Sequence, residues 1–384
     1  MPDNDSSTIT TAPCLNGPTA TNGPAPRPCE STTLPCKENT GWRRVVRNFT
    51  PSLPYNAQWL QYISYAFFGL NVVLFAIFTG ISATRYTLYP KIWGAMLSHP
   101  GQSLFLGCFP MGFATIIIMM VFCCTQWGDW VIYLAWAFWW VDVWLSIATC
   151  ISMLFVVMYR HRPGLQNITA VLLLPIVPAI VAAATGGIVA EVLPNHKHAL
   201  TTVITSYVLW GIGESFSACV LVLYFQRLII HSIPPKEVIV SVILPVGPLG
   251  QGGYGIQQLG KVAMNLIPES NAFGAVAPRA GEMLYVLGVF LAIVMWGFAL
   301  VWLSFALISI ATVQKFPFNI GWWGSTFSLG VLATCTSALA QNLDSDFFKV
   351  CTTVGASVDS VSYFVLTISD YITLSRVDMD GLGN

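Results

Sequence analysis

Long apolar runs follow one another along this chain with only short polar breaks between them, and nothing else in the sequence constrains the fold so strongly. They lie at roughly 58–84, 102–124, 130–159, 168–190, 199–226, 237–260, 282–313, 319–340 and 350–374. Each holds about 20 residues or more, enough α-helix to cross a hydrocarbon core about 30 Å thick. Buried helices of soluble proteins can be equally apolar. A soluble chain of 384 residues, however, could not cover its surface with 9% charged residues against 55% hydrophobic ones. The expected fold is therefore all-α, a polytopic transmembrane bundle with nine visible spans. A formal net charge of zero excludes a nucleic-acid binder working through a basic face.

The flanks differ in kind. Residues 1–40 are rich in Pro, Ser, Thr, Asn and Gly and carry too little apolar surface to offset their ordering entropy, so they are expected to be a disordered cytoplasmic tail. Residues 41–375 form the expected transmembrane domain, and 376–384 a short cytoplasmic tail. Of the ten cysteines, Cys108, Cys123, Cys124, Cys150, Cys219 and Cys335 sit in apolar runs and read as small hydrophobes. Cys14, Cys29 and Cys36 lack zinc-site spacing, and no metal or cofactor is expected.

Loop charge sets the orientation. One set of loops carries Arg85, Lys91, Arg160, Arg162, Arg227, Lys236 and Lys315. The alternate set carries Asp129, Glu191, Glu269, Glu282, Asp344 and Asp346, with Lys197, Lys261, Arg279 and Lys349 against them. The first set is assigned to the cytoplasm. Counting back then puts the residues before the first run outside, although Arg43, Arg44 and Arg47 favour the inside. Either that cluster is misplaced or one crossing is missing between Ser52 and Gln58.

Prolines and paired glycines concentrate in alternate runs, while the others are bulky, as in WAFWWVDVW at 136–144. Proline bends a helix and frees a carbonyl, which survives in a membrane only against protein or a wet cavity. On one reading, kinked small-residue helices surround a conduit and bulky helices face lipid. On the other, the small residues serve only close packing. The first reading makes Pro110, Gly112, Pro175, Pro178, Gly186, Gly187, Pro245, Gly247, Gly250, Gly324 and Thr326 candidate pore-lining residues. The string GQGGYG at 250–255 fits a dinucleotide template but lies within an apolar run, not between a strand and a helix, and is read as a backbone kink.

No lysine or arginine falls deep in any run, so an anion would meet backbone amides, hydroxyls and helix ends. Three acids do: Asp142, Glu214 and Asp359. They are either a proton relay or protonated or hydrogen-bonded acids at helix contacts, and the bulky setting of Asp142 and Glu214 favours the second. His196 and His198 read as loop residues. A membrane enzyme would need a clustered acid–base or metal set near one face, and the sequence offers none.

The strings VRNFTPS, LPYNAQWL, HPGQSLFLGCFPMGFATII (99–117), LLPIVPAIVAAATGGIVA (173–190), YFQRLIIH (224–231), ILPVGPLGQGGYGIQQLG (243–260) and FNIGWWGSTFSLG (318–330) resemble the tellurite-resistance/dicarboxylate transporter family. That family includes the plant slow-type anion channels and the fungal sulfite efflux pumps, and the likeness to the pumps is the nearest. It implies ten spans in five helix hairpins around a central pore, trimers of separately conducting subunits, and a phenylalanine gate on the ninth helix, here Phe327. The family's first helix is absent after Ser52, which is the crossing that the charge count lacks. Its proline after the gate is Ser328, and its third-helix asparagine is replaced at Ile118. The implied function is export of sulfite across the plasma membrane. A malate or succinate carrier of the same family, or a transport-deficient relative lacking the first helix, are the alternatives.

Overall fold

The computed structural model describes residues 58–99, 101–161, 164–269, 274, 277–313 and 320–362. The expected tails, the cluster Arg43, Arg44 and Arg47, and the end of the last run lie outside them. Within the described residues each apolar run is mainly helix. The elements are α1 (Gln58–Leu88), α2 (Pro90–Ser98), α3 (Cys108–Cys124), α4 (Asp129–Val156), α5 (Val177–Val192), α6 (His196–His231), α7 (Val246–Leu266), α8 (Ala277–Thr312) and α9 (Trp323–Leu343), followed by α10 over 346–362. Six described segments are long and apolar enough to cross a membrane, and α5, at 16 residues, is shorter.

The prolines correct one expectation. They mark where helices begin and do not kink helix interiors. Short 3₁₀ turns at Ser103–Gly107, Ala170–Leu173, Lys236–Ile243 and Ile320–Trp322 lead into α3, α5, α7 and α9. Pro110, Pro178 and Pro248 then fall in the first turns of α3, α5 and α7, while Pro175 and Pro245 lie just before α5 and α7. A first-turn residue has no helical acceptor for its N–H, so proline costs nothing there and fixes the entry angle. At the far end, Asp344 (φ 44°) stops α9. Its exposed carboxyl is held below the usual range by a hydrogen bond from Lys349, 2.9 Å away.

Contact positions fix the directions. Gly247, Gly250 and Gly253 on α7 meet Phe327, Leu332 and Cys335 on α9 in rising order, so the two helices run parallel. Gly255 meets Ala184 and Gly187 meets Gln258, which makes α5 and α7 parallel as well. Gly253 against Ala292, Gly288 against Ile256 and Gly260 against Leu284 make α7 and α8 antiparallel. The result is a succession of helix hairpins in which α3, α5, α7 and α9 are one limb and α4, α6 and α8 the other.

The inner limb forms an arc. α3 packs on α5, α5 on α7 and α7 on α9; among the described residues no comparable contact joins α9 back to α3. The middle of the arc is sealed. Val177 through Ala190 of α5 are all buried, as is 89% of the most apolar stretch of the segment containing α7. Trp139 of α4, fully buried, donates its indole N–H to the Ala182 carbonyl at 2.9 Å and ties the outer limb to α5. At the other extreme α1 has 0% of its stretch buried and rests mainly on α3, through Phe75 stacked on Phe109 and Phe113.

Candidate functional site

The gate residue taken from the resemblance lies on the inner limb. A Cβ at Gly247 would stand 3.5 Å from the Phe327 ring, so that glycine provides the flat surface on which the ring rests. Phe327 packs at the edge of the apolar cluster that holds Val246, Leu249 and Leu332. Around it the hydroxyls turn back on their own helix. Thr326 donates to the Trp323 carbonyl at 2.8 Å, and Ser328 to Gly324 at 3.2 Å. A Cβ on Gly324 would stand 3.2 Å from Leu244.

The other candidate lining residues separate. Gly247 meets Phe327 at the α7–α9 contact, and Gly324 meets Leu244, two residues before α7. Gly186 does not belong with them: a Cβ there would collide with Ser206 of α6 and lie 2.7 Å from Trp139 of α4. A Cβ on Gly250 would come within 2.9 Å of the Leu332 backbone. Each of these two candidate lining positions has its Cβ side at a helix–helix contact. These glycines let helices approach closely, because any side chain there would push the neighbouring helices apart. Gly187 faces Gln258 of α7, and a Cβ on Gly112 would meet, among the described residues, only the Phe75 ring of α1, at 3.5 Å. Pro110, Pro175, Pro178 and Pro245 are buried at the helix entries.

The ionisable groups also moved. Glu191 and Lys261, read as loop residues, lie within α5 and α7. Arg227, also assigned to a loop, lies in α6 with 4% of its surface exposed, where it donates to the carbonyls of Gln166 and Ser232. Asp142 is fully buried with neither oxygen hydrogen-bonded. Glu214 points at Gly252, on the side of α7 that packs against α6 and α8, and Asp359 approaches Gly330 of α9. All three lie at helix contacts, and Asp142 Oδ1 and Oδ2, Glu214 Oε1 and Asp359 Oδ1 accept no hydrogen bond among the described residues.

A face that sequence reasoning missed runs along α7. Gly247, Gln251, Tyr254, Gln258 and Lys261 recur at i, i+4, i+7, i+11 and i+14, which is one side of a helix. It begins at the Phe327 ring and ends at Glu191 of α5, which is 3.5 Å from Lys261 and accepts a 2.8 Å hydrogen bond from Gln258. On the other side of α7, Gln257 and Asn342 of α9 hydrogen-bond at 2.9 Å, and Tyr285 donates to Asn342, closing the α7–α8–α9 contact. The 3.6-residue spacing of the polar residues within 247–261 was the available signal. It was masked by the glycines between them.

The family described as voltage-dependent anion channel (SLAC1) matches residues 40–369. The sulfite efflux pump SSU1 of Arthroderma otae is 48% identical over 83% of this chain and 84% of its own. SSU1 of Candida albicans is 32% identical over 61% of this chain and 52% of its own. More distant is the malic acid transport protein of Schizosaccharomyces pombe, 21% identical over 78% of this chain and 68% of its own.

Proposed function

Since the chain belongs to the voltage-dependent anion channel (SLAC1) family, we propose that it exports sulfite across the plasma membrane, is not an enzyme, and crosses the bilayer nine times. The observation that carries this reading is the face of α7 between the Phe327 ring and Glu191. Its middle is polar but uncharged, and Gln251 and Gln258 offer amide donors to a small oxyanion without holding it tightly. The 48% identity to a sulfite efflux pump, set against 21% to a malic acid transport protein, favours sulfite over dicarboxylates. Phe327 acts as the gate on this path, and the absence of a side chain at Gly247 gives its ring room to move. Trimers remain part of the proposal through the family resemblance alone. Vesicles containing the chain should take up labelled sulfite in preference to labelled malate; a preference for malate would reverse the substrate assignment.

The orientation belongs to the same proposal. Asn167 begins a glycosylation sequon and is exposed in the turn before α5. With that turn in the cytoplasm it carries no sugar, and glycosidase treatment should leave the mass of the protein unchanged. A glycosidase-sensitive shift abolished by Asn167→Gln would invert the topology.

The open arc supports a second statement. Among the described residues α3 and α9 make no comparable contact, and on this reading the path has a side open to lipid, where backbone lacks the cover that a closed ring would give. Export by the chain as it stands is therefore weak.

A further inference from the structure

The described residues of α3, α5, α7 and α9 include only two charged side chains, Glu191 and Lys261. Their helices are adjacent and parallel, so both charges stand at the same end of the arc, opposite the 3₁₀ entries. Their partners are specific. Lys261 Nζ lies 3.5 Å from Glu191 Oε1, and Gln258 Nε2 donates to Glu191 Oε2 at 2.8 Å. Gly187, one turn earlier on α5, makes this arrangement fit, since a Cβ there would stand 3.1 Å from Gln258 Cγ. A larger residue would push Gln258 away from the carboxylate.

The Glu191 carboxylate thus occupies the last position of the polar α7 face, with each oxygen at a separate donor. That is how a small oxyanion arriving along this face would be held. The side chains of Glu191 and Lys261 are 35% and 36% exposed, so water reaches both and the pair is held loosely.

We propose that Gln258 Nε2 and Lys261 Nζ form an oxyanion-binding site at the outward end of the path, and that Glu191 is a tethered competitor which fills it when no anion is bound. The site rests on the anion-export reading above and adds to it a last stop and a means of release. An arriving anion displaces the carboxylate into water. Its return expels the anion outward and then blocks re-entry, because one negative group replaces another and the site never holds an uncompensated Lys261.

The test is oxyanion binding by the purified full chain, read as the rise in Tm with sodium sulfite, sodium malate in a second arm and sodium chloride matching the ionic strength. Removing the competitor in Glu191→Gln should lower the half-saturating sulfite concentration about tenfold, and removing the cation in Lys261→Gln should raise it about tenfold. An ordinary structural ion pair behaves differently, since both variants break it and both shift in the same direction. Shifts of equal sign, unshifted half-points, or no anion-dependent rise in either wild type or Glu191→Gln would overturn the proposal. Opposite shifts with malate and none with sulfite would keep the site and overturn the sulfite assignment instead.

Discussion

The middle and the ends of the arc draw on the same small residues and use them differently. α5 and α7 each have neighbours on every side, and their glycines sit where two backbones approach: Gly186 against α4 and α6, Gly250 against α9, Gly260 against α8. α3 and α9 each have one such neighbour in the arc and an edge beyond it. On α3, Gly112 meets a single ring of α1, and Phe109 stays 39% exposed. Glycine in a membrane helix therefore signals close approach only where a partner exists to approach. At the edges, among the described residues, Gly112 and Gly330 face only the side chains of Phe75 and Asp359, and no partner helix joins α3 to α9.

Supplying that partner is the most direct way to break the comparison. A family-type first helix inserted after Ser52 should pack between α3 and α9, close the arc and raise sulfite export about tenfold or more, since the path would no longer lie open to lipid. The measurement is efflux from cells lacking their own exporter, normalised to surface protein. Strong export by the unmodified chain, with no gain on insertion, would mean that the edges function uncovered.

A smaller effect separates the gate from the packing around it. Phe327 belongs to an edge helix but rests on Gly247 of the sealed one, so Phe327→Ala removes an apolar obstruction and leaves the α7–α9 contact held by Gly250 and Gly253. Sulfite flux should rise several-fold at unchanged expression. Unchanged flux would place the constriction elsewhere on the α7 face.

Much of this was legible in the sequence, and the reasons for the rest are specific. Apolar runs of spanning length gave the all-α class because no other backbone can satisfy itself in lipid over such lengths. The alternation of small and bulky runs separated the inner limb from the outer one. Individual lining residues could not be read, because composition says that a helix is tightly packed without saying which side is against which neighbour. Gly186 and Gly187 are consecutive, yet one faces α4 and α6 and the other faces α7. The prolines were read as kinks because apolarity continues across the 3₁₀ entries and hides where each helix starts. Glu191 and Lys261 were assigned to loops because a charge usually ends a span. Here each sits within the last turns of its helix, and parallel packing of α5 and α7 joins two positions 70 residues apart in sequence.

The smallest effect tests the comparison at its root, one methyl group at a time. At Gly250 an added Cβ would stand 2.9 Å from the Leu332 nitrogen and 3.1 Å from its Cα, and backbone held between two packed helices cannot yield as a side-chain end can. Gly250→Ala must spread α7 from α9 and should destabilise the protein by about 1–3 kcal/mol, the usual range for overpacking a filled contact. At Gly112 the same methyl meets the Phe75 ring at 3.5 Å, an ordinary contact with a side chain of the loosely held α1. Gly112→Ala should fall within about 0.5 kcal/mol of wild type, and the better helix propensity of alanine pushes it toward the stabilising side. Tm values of the two variants in one detergent make the measurement. Equal losses at both positions would mean that α3 is gripped as tightly as α7 and that the arc is closed on that side. A loss at Gly250 alone would confirm a sealed middle with an open edge, and restoring the first helix in the same background should then turn Gly112→Ala from neutral to costly.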